Sequence, residues 1–123
     1  MRMLIILRLL LPRMNPELYK SCIDACYQCA TACRHCAEEC LQEPDVEKLA
    51  RCIKLDNDCS TLCLVAAISM AGESDFVRQI CKLCAEVCDA CGEECGKHAH
   101  MEHCKKSAEA CRRCAEECRK IAA

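Results

Sequence analysis

Residues 21–40 read SCIDACYQCATACRHCAEEC, and the separations between Cys22, Cys26, Cys29, Cys33, Cys36 and Cys40 run 4, 3, 4, 3 and 4. At about 100° per residue, that spacing keeps all six side chains within a stripe about 80° wide on an α-helix. The residues between the cysteines include Arg34, Glu38 and Glu39, which belong on a solvated back face. The stretch is therefore read as one amphipathic helix whose buried seam is made of thiols.

The same pattern recurs downstream. Cys81, Cys84, Cys88, Cys91 and Cys95 form a second seam, and Cys104, Cys111, Cys114 and Cys118 a third. A sparser one carries Cys52, Cys59 and Cys63 on a face shared with Leu49, Asp56, Ala66 and Met70. Pro16, the Glu43-Pro44-Asp45 run, Gly72 and the stretch from Gly96 to His100 punctuate the chain between these segments. Proline suits a first helical turn, and Asp45 and Ser74 are placed to accept from the free N–H groups that begin the next helix. The segments lack interior proline and are rich in Ala, Glu, Lys, Arg, Leu and Gln, so propensity agrees with helix. Helices at about 16–41, 45–71, 74–97 and 101–120, joined by short connections, imply an all-α, antiparallel up-down four-helix bundle with a Cys-lined core over residues 14–123.

Met1 to Leu11 form an apolar run interrupted by Arg8 and followed by Pro12 and Arg13. Eleven residues are too few to span a bilayer, and no Ala-x-Ala cleavage site follows them. Residues 1–13 are read as an extension upstream of the folded unit, or as a short amphipathic segment packing on the bundle. The expected location is the cytoplasm, with no membrane partner. Seventeen Lys and Arg against 19 Asp and Glu leave a net charge of −2 without a basic block, which disfavours nucleic acid. No nucleophile–base pair or phosphate loop emerges, so an enzyme is not expected.

Eighteen of the 123 residues are Cys, and Tyr19, Tyr27 and Phe76 are the only aromatic side chains. A core of small thiols buries less apolar area than Leu or Phe would supply, so the sulfurs must do more than pack. Disulfides fit poorly, because helix neighbours three or four apart have Cβ atoms about 5–6 Å apart, against about 3.8 Å in a bridge. A reducing cytosol disfavours them too. A metal held between two thiolates suits the wider gap, and seven C-x-x-x-C pairs offer it: Cys22/Cys26, Cys29/Cys33, Cys36/Cys40, Cys59/Cys63, Cys84/Cys88, Cys91/Cys95 and Cys114/Cys118.

Thiolates select Cu(I), zinc or iron–sulfur clusters. Zinc wants four convergent sulfurs, whereas a rigid helix presents its pairs in a line; Cu(I) accepts two or three. Ferredoxin-type runs need a tight loop and a following proline, which the Cys-x-x-Cys pairs here lack. Many Cu(I) ions per chain come first. A zinc or other soft-metal buffer and an iron–sulfur or redox module remain the alternatives.

His98, His100 and His103 gather with Met101 just before Cys104, at one end of the expected bundle. Imidazole and thioether both bind copper, so these residues are candidates for passing it inward. His35 is rotated off its stripe and is read as solvated. Asp56 occupies a cysteine slot and is assigned to the seam's edge, reaching water, in preference to a weak ligand or an acceptor behind one. Met70 is read as core, and Gly92 as a point of close helix approach.

The segments SCIDACYQCATACRHCAEEC, CKLCAEVCDACGEEC and CKKSAEACRRCAEEC resemble the bacterial four-helix-bundle copper storage proteins, in particular the cytosolic branch. The resemblance covers roughly residues 15 to 121, and the extension before Met14 departs from the compact cytosolic pattern. It implies a bundle filled with Cu(I) on core cysteines, histidines near one mouth and a homotetrameric assembly; copper chaperones are the candidate protein partners for the cargo.

Overall fold

The computed structural model describes residues 16–123, so the expectations for residues 1–13 lie outside the described residues. Four α-helices follow one another there: α1 (Pro16–Leu41), α2 (Ala50–Ala71), α3 (Val77–Gly96) and α4 (Glu102–Ala122). A 3-10 turn, Val46–Leu49, leads into α2. Each helix packs on two neighbours, α1 on α2 and α4, and α3 on α2 and α4. The antiparallel sense is visible in the sulfur contacts. Cys22 near the start of α1 lies 3.7 Å from Cys118 near the end of α4, and Cys40 lies 3.8 Å from Cys104. Between α2 and α3, Cys52 meets Cys95 at 3.1 Å and Cys63 meets Cys84 at 3.8 Å.

Small residues make this square cross-section tight. Ala25, Ala30, Ala37, Ala66, Ala67, Ala85, Ala108 and Ala115 are buried beside the seams, where short side chains bring the helices close. A Cβ added at Gly92 would stand 3.2 Å from Cys111 Cβ, so α3 and α4 approach there as the sequence suggests. Larger apolar side chains are confined mostly to the end where α2 and α4 finish. There Met70, Val77 and Ile121 are buried.

The helix ends differ in detail from their sequence reading. Asp45 precedes the 3-10 turn and makes no side-chain cap; its carbonyl accepts from Lys48 N–H instead. Ser74 Oγ accepts from Phe76 N–H in a local turn before α3 starts at Val77. Gly72 does not use its conformational freedom. Glu73, with φ of 50°, takes the left-handed position, and Ser74 N–H reaches back to Ser69 carbonyl to close α2.

Candidate metal centre

All 18 cysteines are free thiols with 0% exposure. Every seam points inward because the 3-and-4 spacing leaves no cysteine off the stripe. Within helices, six of the C-x-x-x-C pairs stand at 3.9–4.0 Å between sulfurs: Cys29/Cys33, Cys36/Cys40, Cys59/Cys63, Cys84/Cys88, Cys91/Cys95 and Cys114/Cys118. Sulfurs also meet across both diagonals, as in Cys33–Cys91 at 3.9 Å and Cys63–Cys114 at 3.7 Å. The four rows thus merge into one column.

Tertiary packing corrects one step of the sequence argument. The helices do not present pairs merely in line, for they assemble groups of four ligand atoms, each group within 4.8 Å. Cys26, Cys84, Cys114 and Cys118 form one; Cys29, Cys33, Cys59 and Cys111 another; Cys36, Cys40, Cys52 and Cys104 a third. Four thiolates at a zinc–sulfur distance of about 2.3 Å would stand about 3.8 Å apart. Sulfur geometry alone therefore serves a four-coordinate ion as well as a chain of two- and three-coordinate ones.

Asp56 is the clearest departure from expectation. It is 0% exposed and sits among the sulfurs instead of at the seam's edge. Its Oδ1 accepts from Ser107 Oγ at 3.0 Å, Cys91 at 3.3 Å and Cys95 at 3.4 Å, and Cys52 reaches Oδ2 at 3.8 Å. Burial, reinforced by the charge of Cys95 and Cys33, pushes its carboxyl up to about 8. Ser107, also fully buried, fills the gap between Cys104 and Cys111 at the spacing of a missing cysteine. That gap was the available signal for it.

Charge in this core is governed by the thiols themselves. Among the described residues, the buried polar and charged side chains are Asp56, Ser60, Glu94 and Ser107, with no Lys or Arg. Where one sulfur receives hydrogen bonds from its neighbours its thiolate is favoured, and its charge then holds nearby thiols protonated. Near the histidines, hydrogen bonds from Cys36 and Cys52 bring Cys104 down to about 3, while burial and the charge of Cys104 push Cys40 up to about 12. Deeper in, donated hydrogen bonds and burial push Cys59, Cys63 and Cys118 up, while hydrogen bonds received from neighbouring thiols bring Cys33, Cys95 and Cys114 down. With no buried Lys or Arg among the described residues to balance them, the thiols that remain protonated can ionise only as cations arrive to replace their protons.

The histidine end is open. A cavity of about 380 Å³ is lined by Glu43, Pro44, Asp45, Lys48, Leu49, His98, His100 and Met101. His103 contacts Glu43 of this lining, and its Nδ1 lies 3.6 Å from Cys36, 3.7 Å from Cys40 and 3.5 Å from Cys104. His98 turns instead to Glu94 at 3.3 Å, and His100 is exposed. Met101 is half-buried against the core. His35 is exposed and Met70 buried, as expected.

The copper storage protein family profile matches residues 15–123. The chain belongs to the copper storage protein family. A cysteine-rich protein of Bacillus subtilis (strain 168), described as uncharacterised, is 48% identical over 81 residues, covering 66% of this chain and 75% of its own. The Cu(I)-bound copper storage protein BsCsp3 superposes with a TM-score of 0.82 at 46% identity, over 86% of this chain and 99% of that one. A cytosolic copper storage protein from Streptomyces lividans, loaded with five coppers, gives a TM-score of 0.83 at 41% identity, over 86% and 92% of the two chains. In a copper storage protein the converging thiols have an evident cargo, and the family's four-helix fold is the one seen here. Among the described residues, no helix is long and apolar enough to cross a membrane.

Proposed function

We propose that this chain stores Cu(I) in the cytoplasm, holding many ions on the 18 cysteines of its bundle core. The supporting observation is the convergence of free, fully buried thiols from all four helices into one column without a buried Lys or Arg among the described residues. Monovalent copper brings one charge per ion and accepts two or three sulfurs, so it can load such a column ion by ion as protons leave. His103 stands where the outer cysteines meet the mouth and serves as the first inner ligand, with His98, His100 and Met101 forming the rim. The role is sequestration, with no catalysis. Copper chaperones and a homotetrameric assembly fit the family resemblance.

Zinc buffering is the second reading, because the four-sulfur groups also suit a tetrahedral ion. Anaerobic titration of the reduced apo-protein with Cu(I), and separately with Zn(II), against competing chelators distinguishes the two. Storage of copper predicts many tightly held copper ions per chain and fewer or weaker zinc ions. Tight zinc at one ion per four sulfurs with weaker copper would replace the copper reading, and an iron-containing, coloured protein would favour a redox module.

A further inference from the structure

In the sequence Glu43 is only a member of a helix-breaking run. The fold gives it a specific partner. After α1, Glu43 N–H donates to Cys40 carbonyl at 3.2 Å, which fixes the loop one turn beyond the outermost cysteine of that helix. From there Glu43 Oε1 lies 3.2 Å from His103 Nε2, on the side of the ring opposite the sulfurs. Lys48, the cation of the same loop, is engaged by Asp45 at 3.9 Å. The His103 side chain is 10% exposed and that of Glu43 34%, so water screens this contact less than an open surface pair.

A carboxylate can only accept, so Nε2 keeps its proton, and once an arriving cation displaces any proton held between Nδ1 and Cys104 the lone pair is on Nδ1. That lone pair faces Cys36, Cys40 and Cys104 at 3.5–3.7 Å. We propose that Glu43 is a positioning residue for copper uptake, orienting His103 so that its Nδ1 and the three outer sulfurs receive each incoming ion together. A carboxylate behind a metal-binding histidine fixes the ring and raises its basicity, and losing such a partner commonly costs 10–100-fold in metal affinity or activity. This role rests on the copper-storage reading above. An acidic residue at a mouth could instead attract cations by charge alone, and that role would not depend on His103.

The test follows loading of the reduced, full-length apo-protein from a Cu(I)–chelator complex, comparing Glu43→Ala, Glu43→Gln, His103→Ala and the double variant Glu43→Ala/His103→Ala. Glu43→Ala slows the first phase roughly 10-fold. Glu43→Gln, whose amide oxygen still accepts from Nε2–H, stays within about threefold of wild type. In the His103→Ala background, Glu43→Ala adds less than about a twofold effect, because coupled residues are not additive. A second readout needs no copper: the His103 Nε2 proton in NMR spectra of wild-type apo-protein is protected from exchange, remains so in Glu43→Gln and is lost in Glu43→Ala. Equal slowing by Glu43→Ala in both backgrounds, unchanged loading, or an unprotected wild-type Nε2 proton would overturn the proposal. Failure of the storage reading looks different, since wild type itself would then hold few copper ions.

Discussion

Replacing Asp56 by Asn should make the apo-protein more stable at pH 8 than at pH 5 relative to wild type. Asp56 is fully buried, and its carboxyl is pushed from an ordinary 3.8 up to about 8. A raised carboxyl is stabilising in its protonated form. Its contribution is complete below pH 3.8 and drains away as pH climbs towards 8, because the unfolded chain ionises freely over that window while the fold does not. Each such pH decade is worth about 1.36 kcal/mol, so the interval from pH 5 to pH 8 costs wild type about 2–4 kcal/mol that the Asp56→Asn variant escapes. The amide oxygen of the variant can still accept from Ser107 and the thiols. Urea unfolding of reduced apo-protein, wild type against Asp56→Asn, measures the difference at both pH values, and subtracting the two curves removes the contribution of the cysteines that do not touch Asp56. A gap that stays constant across this range, or narrows as pH rises, would show that Asp56 is ionised in the folded core and that its burial has been misjudged.

Two further outcomes are expected. His103→Ala should slow copper loading at least about 10-fold with little loss of final capacity, whereas His100→Ala, at an exposed position, should change loading less than about twofold; stopped-flow transfer from a Cu(I) chelator reads both. Gly92→Leu should destabilise the apo-bundle by about 1–3 kcal/mol in urea unfolding, because even a Cβ there meets Cys111 Cβ at 3.2 Å and a larger side chain must part α3 from α4.

The bundle itself was legible because cysteine is an unusually informative core residue. Spacing alone put Cys22 to Cys40 on one face, and with every cysteine following the same rule, four inward seams were the consistent arrangement. The burial of all 18 bears this out. Asp56 was misplaced because a charged side chain was expected to seek water, although its position three residues before Cys59 already put it in the seam. Periodicity won over side-chain polarity, and Ser107 from another helix supplies the hydrogen bond that makes the burial tolerable. Cross-helix groups such as Cys26, Cys84, Cys114 and Cys118 depend on how neighbouring helices are set against one another, which no single seam encodes. Glu43 is invisible for the same reason, since its partner lies 60 residues away. Helix caps were the least readable feature: Asp45 and Ser74 have capping chemistry, yet their side chains turn elsewhere or serve a local turn.

Crystals of the copper-loaded protein, measured on both sides of the copper absorption edge, would test the central claim most directly. Anomalous peaks should run as a column between the four helices, each beside two or more cysteine sulfurs, with the outermost near His103 Nδ1. Peaks restricted to surface histidines and carboxylates, or an interior empty of copper with its sulfurs joined in pairs, would contradict it.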